Sequence, residues 1–429
     1  MSLDLHGPLD IAVAQIIEQQ VANGWLLDQE KVFLLLADLK EKKYELETDV
    51  QRVFTPVAKY VKEIVPRVKM DGTYSSVGLK YYGTNWSDIA GVHSRIEWQE
   101  FNLGSRKQIG ERLQASGWVP ESFTDVGQPI VSETVLKDVK GIPEAQLIAD
   151  FLTLQKRIAM AQSWLDFVQD DGRVRGAVDP LGCVTGRMSH SEPNMGQVTA
   201  GTKIYGKEMR ECWTVAEGYS LVGMDASGLE LRMLAHYMDD EAYTQEVLNG
   251  DVHSANQRAA GLATRDMAKT FIYAFLYGAG DAKIGSITGG TAKEGKRLKE
   301  KFLANTPALA SLRDRVTTAA KRGWLRGLDG RRLTIRSPHA ALNTLLQGAG
   351  AVVMKQALIN LDRMTKAHKL DSMFIGNIHD EIQAEVLDGQ AEQYGKLAAF
   401  AMCKAGTDFN LNVPLAGEYK IGKTWKETH

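Results

Sequence analysis

Cysteine is scarce: Cys183, Cys212 and Cys403 are the only three in 429 residues, far apart and odd in number. That pattern excludes a disulfide framework and a zinc ribbon, which need closely spaced, paired thiols, and it fits a reducing intracellular compartment. Long apolar runs are missing too. No stretch approaches the roughly 18 uncharged residues of a membrane span, and the amino end MSLDLHGPLD carries neither the basic nor the apolar segment of a secretion leader. The expected location is therefore cytoplasmic, with no membrane partner. Nor does either sign of charge prevail: 51 Lys and Arg against 53 Asp and Glu leave a formal net charge of −2, a poor start for a phosphate-binding protein. The average conceals bunching, however. RLKEKF and KRGWLRGLDGRRLTIR are basic, whereas ETDV, MDDEAY and VLDGQAEQ are acidic. A positive groove on a near-neutral body is compatible with this; so are solvated charged faces, the commoner fate of any one such run. Repeats and low-complexity tracts are absent. With 44% hydrophobic and 24% charged residues, the chain is long enough for two or three packed subdomains.

Within it, Val32, Leu35, Leu36, Leu39, Leu46 and Val50 recur near helical spacing and predict a long helix from the N-cap Asp28 to about Phe54. Pro143 can open a second, carrying Leu147, Ile148, Phe151, Leu154, Ile158 and Leu165 to about Gln169. Residues 55–100 lose the pattern and gain glycine and tyrosine, as in YSSVGLKYYGTNW, so they read as an irregular or β-rich insertion. From Asp171, short strands are expected around GRVRGAV and GCVTGRM, and SLVGM reads as a buried strand ending at Asp225. Helices dominate from about Leu229 to Leu370, broken by a hairpin turning at Asp329-Gly330. MFIGNIHDEIQAEV reads as two strands about a tight turn, with Ile378 and Ile382 flanking His379, Asp380 and Glu381.

Two carboxylates stand at strand ends. Asp225 alone could cap the helix that follows it, and Asp380 alone could be an ordinary turn residue. Together they could hold two Mg²⁺ ions, which take oxygen ligands and often bind through one or two carboxylates plus substrate phosphates. Such a pair would activate a primer 3′-hydroxyl and neutralise a leaving pyrophosphate, although spacing cannot bring the two residues together. The segment TRDMAKTFIYAFLYG is more informative. Arg265, Lys269, Tyr273 and Tyr277 fall at i, i+4, i+8 and i+12, and each step of four drifts by about 40°, so they form one slowly turning stripe. Thr264 can start this helix and Gly278 end it, while Met267, Ile272, Ala274 and Phe275 offer the opposite side for burial. A plain surface stripe is one reading. Cations followed by aromatics are also what a triphosphate, its ribose and its base would meet in turn.

DASGLELRMLAHY, RDMAKTFIYAFLYG and HDE resemble motifs A, B and C of family A DNA polymerases. The resemblance continues through VTGRMSHSEPNMGQ, GDVHSANQ and RSPHAALNTLLQGAG in the family's order, covers about Gly172 to the carboxyl end, and is greatest to podophage replicative polymerases that recruit a host thioredoxin. FNLGSRKQIGERL resembles their thumb. It implies an α+β right-hand fold: a palm with an antiparallel sheet (171–238 and 371–429), helical fingers (239–370), and a helical thumb (1–54 and 101–170) with an insertion at 55–100. It further implies that Asp225 and Asp380 ligate two Mg²⁺ ions, or Mn²⁺ in their place, with the Ala226 carbonyl as a third ligand and Glu381 close by as a further catalytic residue. Arg265, Lys269 and His253 would hold the triphosphate, with Lys269 also the general acid toward pyrophosphate. Glu230 would exclude ribonucleotides, and Tyr273 would meet the sugar, a tyrosine going with ready acceptance of dideoxynucleotides. Tyr277 and Gly278 would lie by the templating base, and Arg187, Gln347 and His379 would read minor-groove acceptors near the primer end. Each has a plain alternative: a capping His253, a solvated Gln347, a surface salt bridge for Arg187.

The chain starts almost at the thumb, so no proofreading exonuclease is expected in it, and a separate exonuclease or helicase partner is conceivable. Residues 55–100 stand where thioredoxin-dependent relatives insert their processivity segment, and Lys59, Lys62, Arg67, Lys69 and Lys80 could touch duplex DNA. A clamp for a thioredoxin-like factor and an elaborated thumb tip carry similar weight. The resemblance implies DNA replication in a phage; the rivals are a single-subunit RNA polymerase, against which Glu230 and Glu381 argue, and a catalytically silent DNA-binding relative.

Overall fold

The computed structural model describes residues 7–65, 67–73 and 92–429, so Lys80 lies outside the described residues. The chain divides into two compact units, one from residues up to Leu35 together with Ala161–His429, the other Leu36–Met160. The first long helix runs Gln29–Val53, and Asp28 caps it by accepting from the Lys31 N–H at 3.1 Å. The second runs Pro143–Phe167. Among the described residues, no helix is long and apolar enough to cross a membrane.

The larger unit is organised by a four-stranded antiparallel sheet of β1 (Tyr219–Ala226), β2 (Ser372–Ile378), β3 (Glu381–Leu387) and β4 (Gly417–Gly422), in the order β2-β3-β1-β4. Leu221, Val222 and Met224 of β1 are all buried, as are Ile382, Ala384 and Val386 of β3. Consecutive apolar residues of β1 are buried because the sheet is covered on both faces. The helices of this unit that matter below are α1 (Pro8–Asn23), α2 (Leu229–Met238), α3 (Val252–Ala260), α4 (Arg265–Leu276), α5 (Ala341–Ala367) and α6 (Ala391–Asp408). α5 is the spine: Leu345, Ala349, Val353, Ala357 and Leu361 are buried, and α1, α2 and α6 all pack on it. Beside the sheet stand four tryptophans. Trp25 lies 4.6 Å from Trp425 and 6.0 Å from Trp213, centroid to centroid, and Trp164 lies 4.9 Å from Trp213.

The smaller unit has its own core of Val50, Phe54, Phe101, Ile109, Leu113 and Phe151 among others, the second of the subdomains the length allows. Within the expected insertion, Val57–Ile64 pairs antiparallel with His93–Gln99, so the described part of it is β-rich.

Three local expectations need correction. GCVTGRM is a turn, not a strand: Gly186 donates to the Cys183 carbonyl at 2.8 Å, and the strand begins only at Ser189. At the Asp329-Gly330 turn only Gly330 takes positive φ (+87°), within a longer loop closed by Gly327 N–H to the Arg331 carbonyl at 2.7 Å. The buried side of α4 is led by Ala268, Phe271, Ile272 and Phe275, whereas Met267 and Ala274 are only partly covered. A helix turns 100° per residue, and the core lies closer to the Phe271 meridian than the hydrophobicity of Met267 suggested.

Gly376, at a bulge in β2, leaves room for Trp25: a Cβ there would collide with the indole. Because Trp25 is wedged against two further tryptophans, Gly376→Ala is expected to destabilise the fold by about 1–3 kcal/mol. Urea unfolding of the two proteins checks this, and equal midpoints would refute it.

Candidate active site

The register of β1 and β3 sets Asp225 opposite Glu381, and that of β2 and β3 sets Ile378 opposite Glu381, so the turn between them is His379-Asp380 alone. Such a short turn demands positive φ at its first position, which His379 supplies at +60°. The Ala226 N–H then donates to the Asp380 carbonyl at 3.0 Å, which brings Asp225 and Asp380 to one end of the sheet. Asp225 does not cap the following helix; Gly228, in the left-handed region, occupies that place without a side-chain bond. On the other flank, β4 sets Glu418 opposite Asp225. Glu381, Asp225 and Glu418 thus form a row of like charge across three strands, an arrangement that costs stability.

The row is resolved unequally. Glu381 is buried. Trp425 Nε1 and Gln383 Nε2 each donate to it at 2.5 Å, and His429 Nδ1 stands 2.9 Å away. Burial alone would raise this carboxyl, but His429, Arg210 and Trp425 outweigh it and hold it below the usual range. Glu381 is therefore a fixed anion with its oxygens engaged, not a loose ligand beside Asp380. Glu418 accepts from Ser227 Oγ at 3.2 Å. The Asp225 and Asp380 carboxylates have no hydrogen-bond or ion-pair partner among the described residues. Asp225 keeps one side open to solvent, yet loss of water on its other sides, with Asp380, Glu381 and Glu418 adding to it and His429 opposing, raises its carboxyl to about 6. An uncompensated carboxylate beside a second one is the electrostatic setting a divalent cation relieves. Among the described residues, no group of three or more His, Cys, Asp or Glu forms a ready-made cage. Two carboxylates without a full cage suit Mg²⁺, which takes its remaining oxygens from water and phosphate.

Facing outward on α4, Arg265 and Lys269 are exposed, Tyr273 is half-buried and Tyr277 is 48% exposed, so the stripe forms. Thr264 Oγ1 caps the start by accepting from the Met267 N–H at 3.2 Å. Gly278 ends the helix at φ +75°, against the His339 carbonyl, where a Cβ would clash. Arg265 Nε donates to Asp251 Oδ2 at 2.7 Å, and Asp251 Oδ1 accepts from the His253 N–H at 3.1 Å as the N-cap of α3. Asp251 is the residue that sequence reasoning missed; an aspartate just before a helical run was the available signal. It, rather than His253, is the cap. His253 lies 6.3 Å from Tyr273, ring to ring, and burial with the nearby Arg265 and Lys269 keeps its imidazole neutral to lower pH than usual.

Glu230, on α2, is a second junction. Tyr277 Oη donates to it at 2.8 Å, and Arg187 Nη2 does so at 3.3 Å. Burial and this anion push the Tyr277 phenol far up, and burial with Glu230 and Asp380 raises Tyr273 as well. Arg187, from the Gly186 turn, and His379 line one small cavity together, and burial with the Arg187 charge lowers the His379 imidazole. Gln347 is half-buried on α5 and makes no hydrogen bond to the others. Asp225, Asp380, Glu230, Arg187, Tyr273, Tyr277, His253 and Arg265 are thus linked by contacts or by close electrostatic coupling, with Gln347 standing apart.

A sheet end with two unpaired carboxylates, coupled to Tyr273 on a helix that also carries two exposed cations, suits phosphoryl chemistry on nucleotides. The family model for DNA polymerase family A matches residues 84–427, and the chain belongs to that family. It is 37% identical to the DNA-directed DNA polymerase of Enterobacteria phage T3 over 97% of this chain and 69% of that protein, and 41% identical to that of Escherichia phage T7 over 80% and 54%. A third relative, from Escherichia phage Phieco32, is 43% identical over 48% of this chain and 40% of its own length. The chain therefore spans roughly half to two thirds of the T7 and T3 proteins. The POL domain of Pol1 from M. smegmatis, solved in complex with DNA primer-template and dNTP, matches 99% of the chain and 71% of its own at a TM-score of 0.81 and 22% identity; it establishes the polymerase fold.

A carboxyl raised from 3.8 to about 6 is disfavoured as the anion in the folded state, so its contribution to stability is full below pH 4 and is lost as pH climbs through 6. In chelator at pH 7.5, Asp225→Asn is expected to be more stable than the parent by about 1 kcal/mol, solvent on the open side screening the rest, with the gap closing toward pH 4.5. Thermal melts at the two pH values measure it; a parent as stable as the variant at pH 7.5 would exclude the repulsion.

Proposed function

We propose that Asp225 and Asp380, with the Ala226 carbonyl, hold the two Mg²⁺ ions of template-directed DNA synthesis, Mn²⁺ being able to replace them. As a family A member the chain is a DNA-directed DNA polymerase; what is inferred is how its residues divide the work and that its setting is phage genome replication. The observation that carries the reading is the unpaired, raised Asp225 beside Asp380, at the foot of a helix that offers two cations. Bound there, the ions would acidify the primer 3′-hydroxyl and offset charge on the leaving pyrophosphate.

The residues around them bind and orient. Arg265 and Lys269 take the triphosphate with His253, and Arg265 exchanges its Asp251 partner for phosphate oxygens. The primer hydroxyl gives its proton to water as its oxygen bonds to the α-phosphorus, and Lys269 gives a proton to the pyrophosphate oxygen whose bond to that phosphorus breaks. Tyr273 packs on the sugar. Glu230, tethered by Tyr277 and Arg187, stands where a 2′-hydroxyl would come, and the cost of crowding this half-buried, tethered carboxylate excludes ribonucleotides. Tyr277 and Gly278 border the templating base, and Arg187, Gln347 and His379 face the primer end. Glu381 acts by position: its bonds to Trp425, Gln383 and His429 anchor the start of the strand that follows Asp380. In this reading, 171–238 and 371–429 are palm, 239–370 fingers, and 1–54 and 101–170 thumb with the insertion 55–100.

Primer extension with Mg²⁺ tests the reading. Asp225→Asn and Asp380→Asn are each expected to lose roughly 100-fold or more in rate while still binding primer-template. Glu230→Ala should keep deoxynucleotide addition and accept ribonucleotides. Undiminished extension by both Asn variants would refute the metal assignment.

The paired strands of the insertion present Tyr60, Ile96 and Trp98 on one exposed face and Lys59 on the other, a surface suited to an accessory protein of thioredoxin type. Processivity on a long template should rise severalfold with such a factor and fall back on Trp98→Ala. No change with either would remove the partner.

A further inference from the structure

Behind Arg187 and His379 lies a group of buried polar residues without a part in the chemistry above. Lys355, in the middle of α5, is 1% exposed, and its Nζ donates to Asp10 Oδ1 at 2.7 Å. Asp10, in the first turn of α1, is 4% exposed and also accepts from Arg331 Nη2 at 3.0 Å, while Arg331 is held in turn by Asp329. An ion pair this deep is not needed for stability, since apolar residues of like volume usually serve as well. Its place suggests why it is there. Gly186, Arg187, Met354, Lys355, Asn377 and His379 line one cavity of about 10 Å³, room for a single water molecule. Asn377, on β2 and 4% exposed, has an Nδ2 with no hydrogen-bond partner. An ammonium has three N–H donors, of which Asp10 takes one. The turn that carries Arg187 is also braced from this side: a Cβ at Gly186 would lie 3.2 Å from Arg331 Nη1, and one at Gly348 of α5 would lie 3.4 Å from the Thr185 carbonyl.

We propose that Lys355, held by Asp10, and Asn377 are positioning residues for recognition of the primer end: they floor the cavity under Arg187 and His379 and fix where those two side chains present their donors. This rests on the reading above that Arg187 and His379 face the primer terminus. The far side of Arg187 is already fixed by Glu230. With Glu230 on one side and the Lys355–Asn377 floor on the other, the guanidinium has one place to stand, and a mispaired terminus, whose minor-groove acceptors are displaced, meets donors that cannot follow it.

The test compares extension of a matched with a mismatched primer terminus, alongside the dNTP KM and the thermal midpoint. Losing Lys355 alone would leave Asp10 Oδ1 buried without its donor, so the variants are Asp10→Asn with Lys355→Met, in which the new amide oxygen can still accept from Arg331, and Asn377→Leu, which replaces an unpartnered amide by a group of similar size. Both are expected to lower the matched-to-mismatched ratio about tenfold, with dNTP KM and thermal midpoint little changed. Arg187→Ala is the reference. If it lowers the ratio and the other two variants leave it at the parent value, the positioning role is overturned. If Arg187→Ala itself leaves the ratio unchanged, the assignment of Arg187 to the primer end fails and the proposal falls with it. Should the double variant not fold, Asn377→Leu decides alone.

Discussion

The pairing of β1 with β3 forces two carboxylates that repel one another to share one end of a sheet. Backbone bonds that run the length of both strands, from Asp225 opposite Glu381 to Tyr219 opposite Leu387, hold that end against the repulsion. The pairing is secured by α6, which packs on both strands, and by the bond from Trp425 to Glu381. In the proposed metal site this unfavourable charge would be useful, since a site poor in positive charge gains most from a cation. Local strain of this kind is tolerated where the surrounding structure over-determines it.

Acidic residues next to the pair do a different job. Asp251 gathers Arg265 and the start of α3, and Glu230 gathers Tyr277 and Arg187. Each is a two-armed acceptor; Asp251 gathers donors from neighbouring segments, and Glu230 gathers them from segments 43 and 47 residues away on its two sides. In the proposed reading, a triphosphate competing for Arg265 would have to displace a carboxylate, which would couple binding to rearrangement. Glu381 stands apart from both, its oxygens consumed by the segment ending in His429.

Much of this was legible in the chain. The two long helices, the strand before Asp225, the turn at His379-Asp380 and the stripe on α4 follow from local pattern, because period, caps and turn chemistry act over a few residues. The errors were local too. GCVTGRM has strand-like residues, but Gly186, at positive φ, lets it turn, and Met267 only borders the core that Phe271 enters fully. The buried floor of Asp10, Lys355 and Asn377 was invisible, since a lysine inside a helix and an aspartate near an amino end look like ordinary surface residues until packing closes over them.

By itself, the sequence determined which residue types stand at which local positions: carboxylates at strand ends, cations and phenols one helical step apart, and the caps Asp28 and Thr264. These depend on geometry repeating every two or 3.6 residues, which any reader of the chain can count. Only the tertiary structure decided that Asp225 and Asp380 meet, that Glu418 joins their row, and that Glu381 is spent on Trp425 and His429. Those outcomes rest on strand register and on contacts between residues far apart in the chain, where a shift of one residue would turn each side chain to the opposite face.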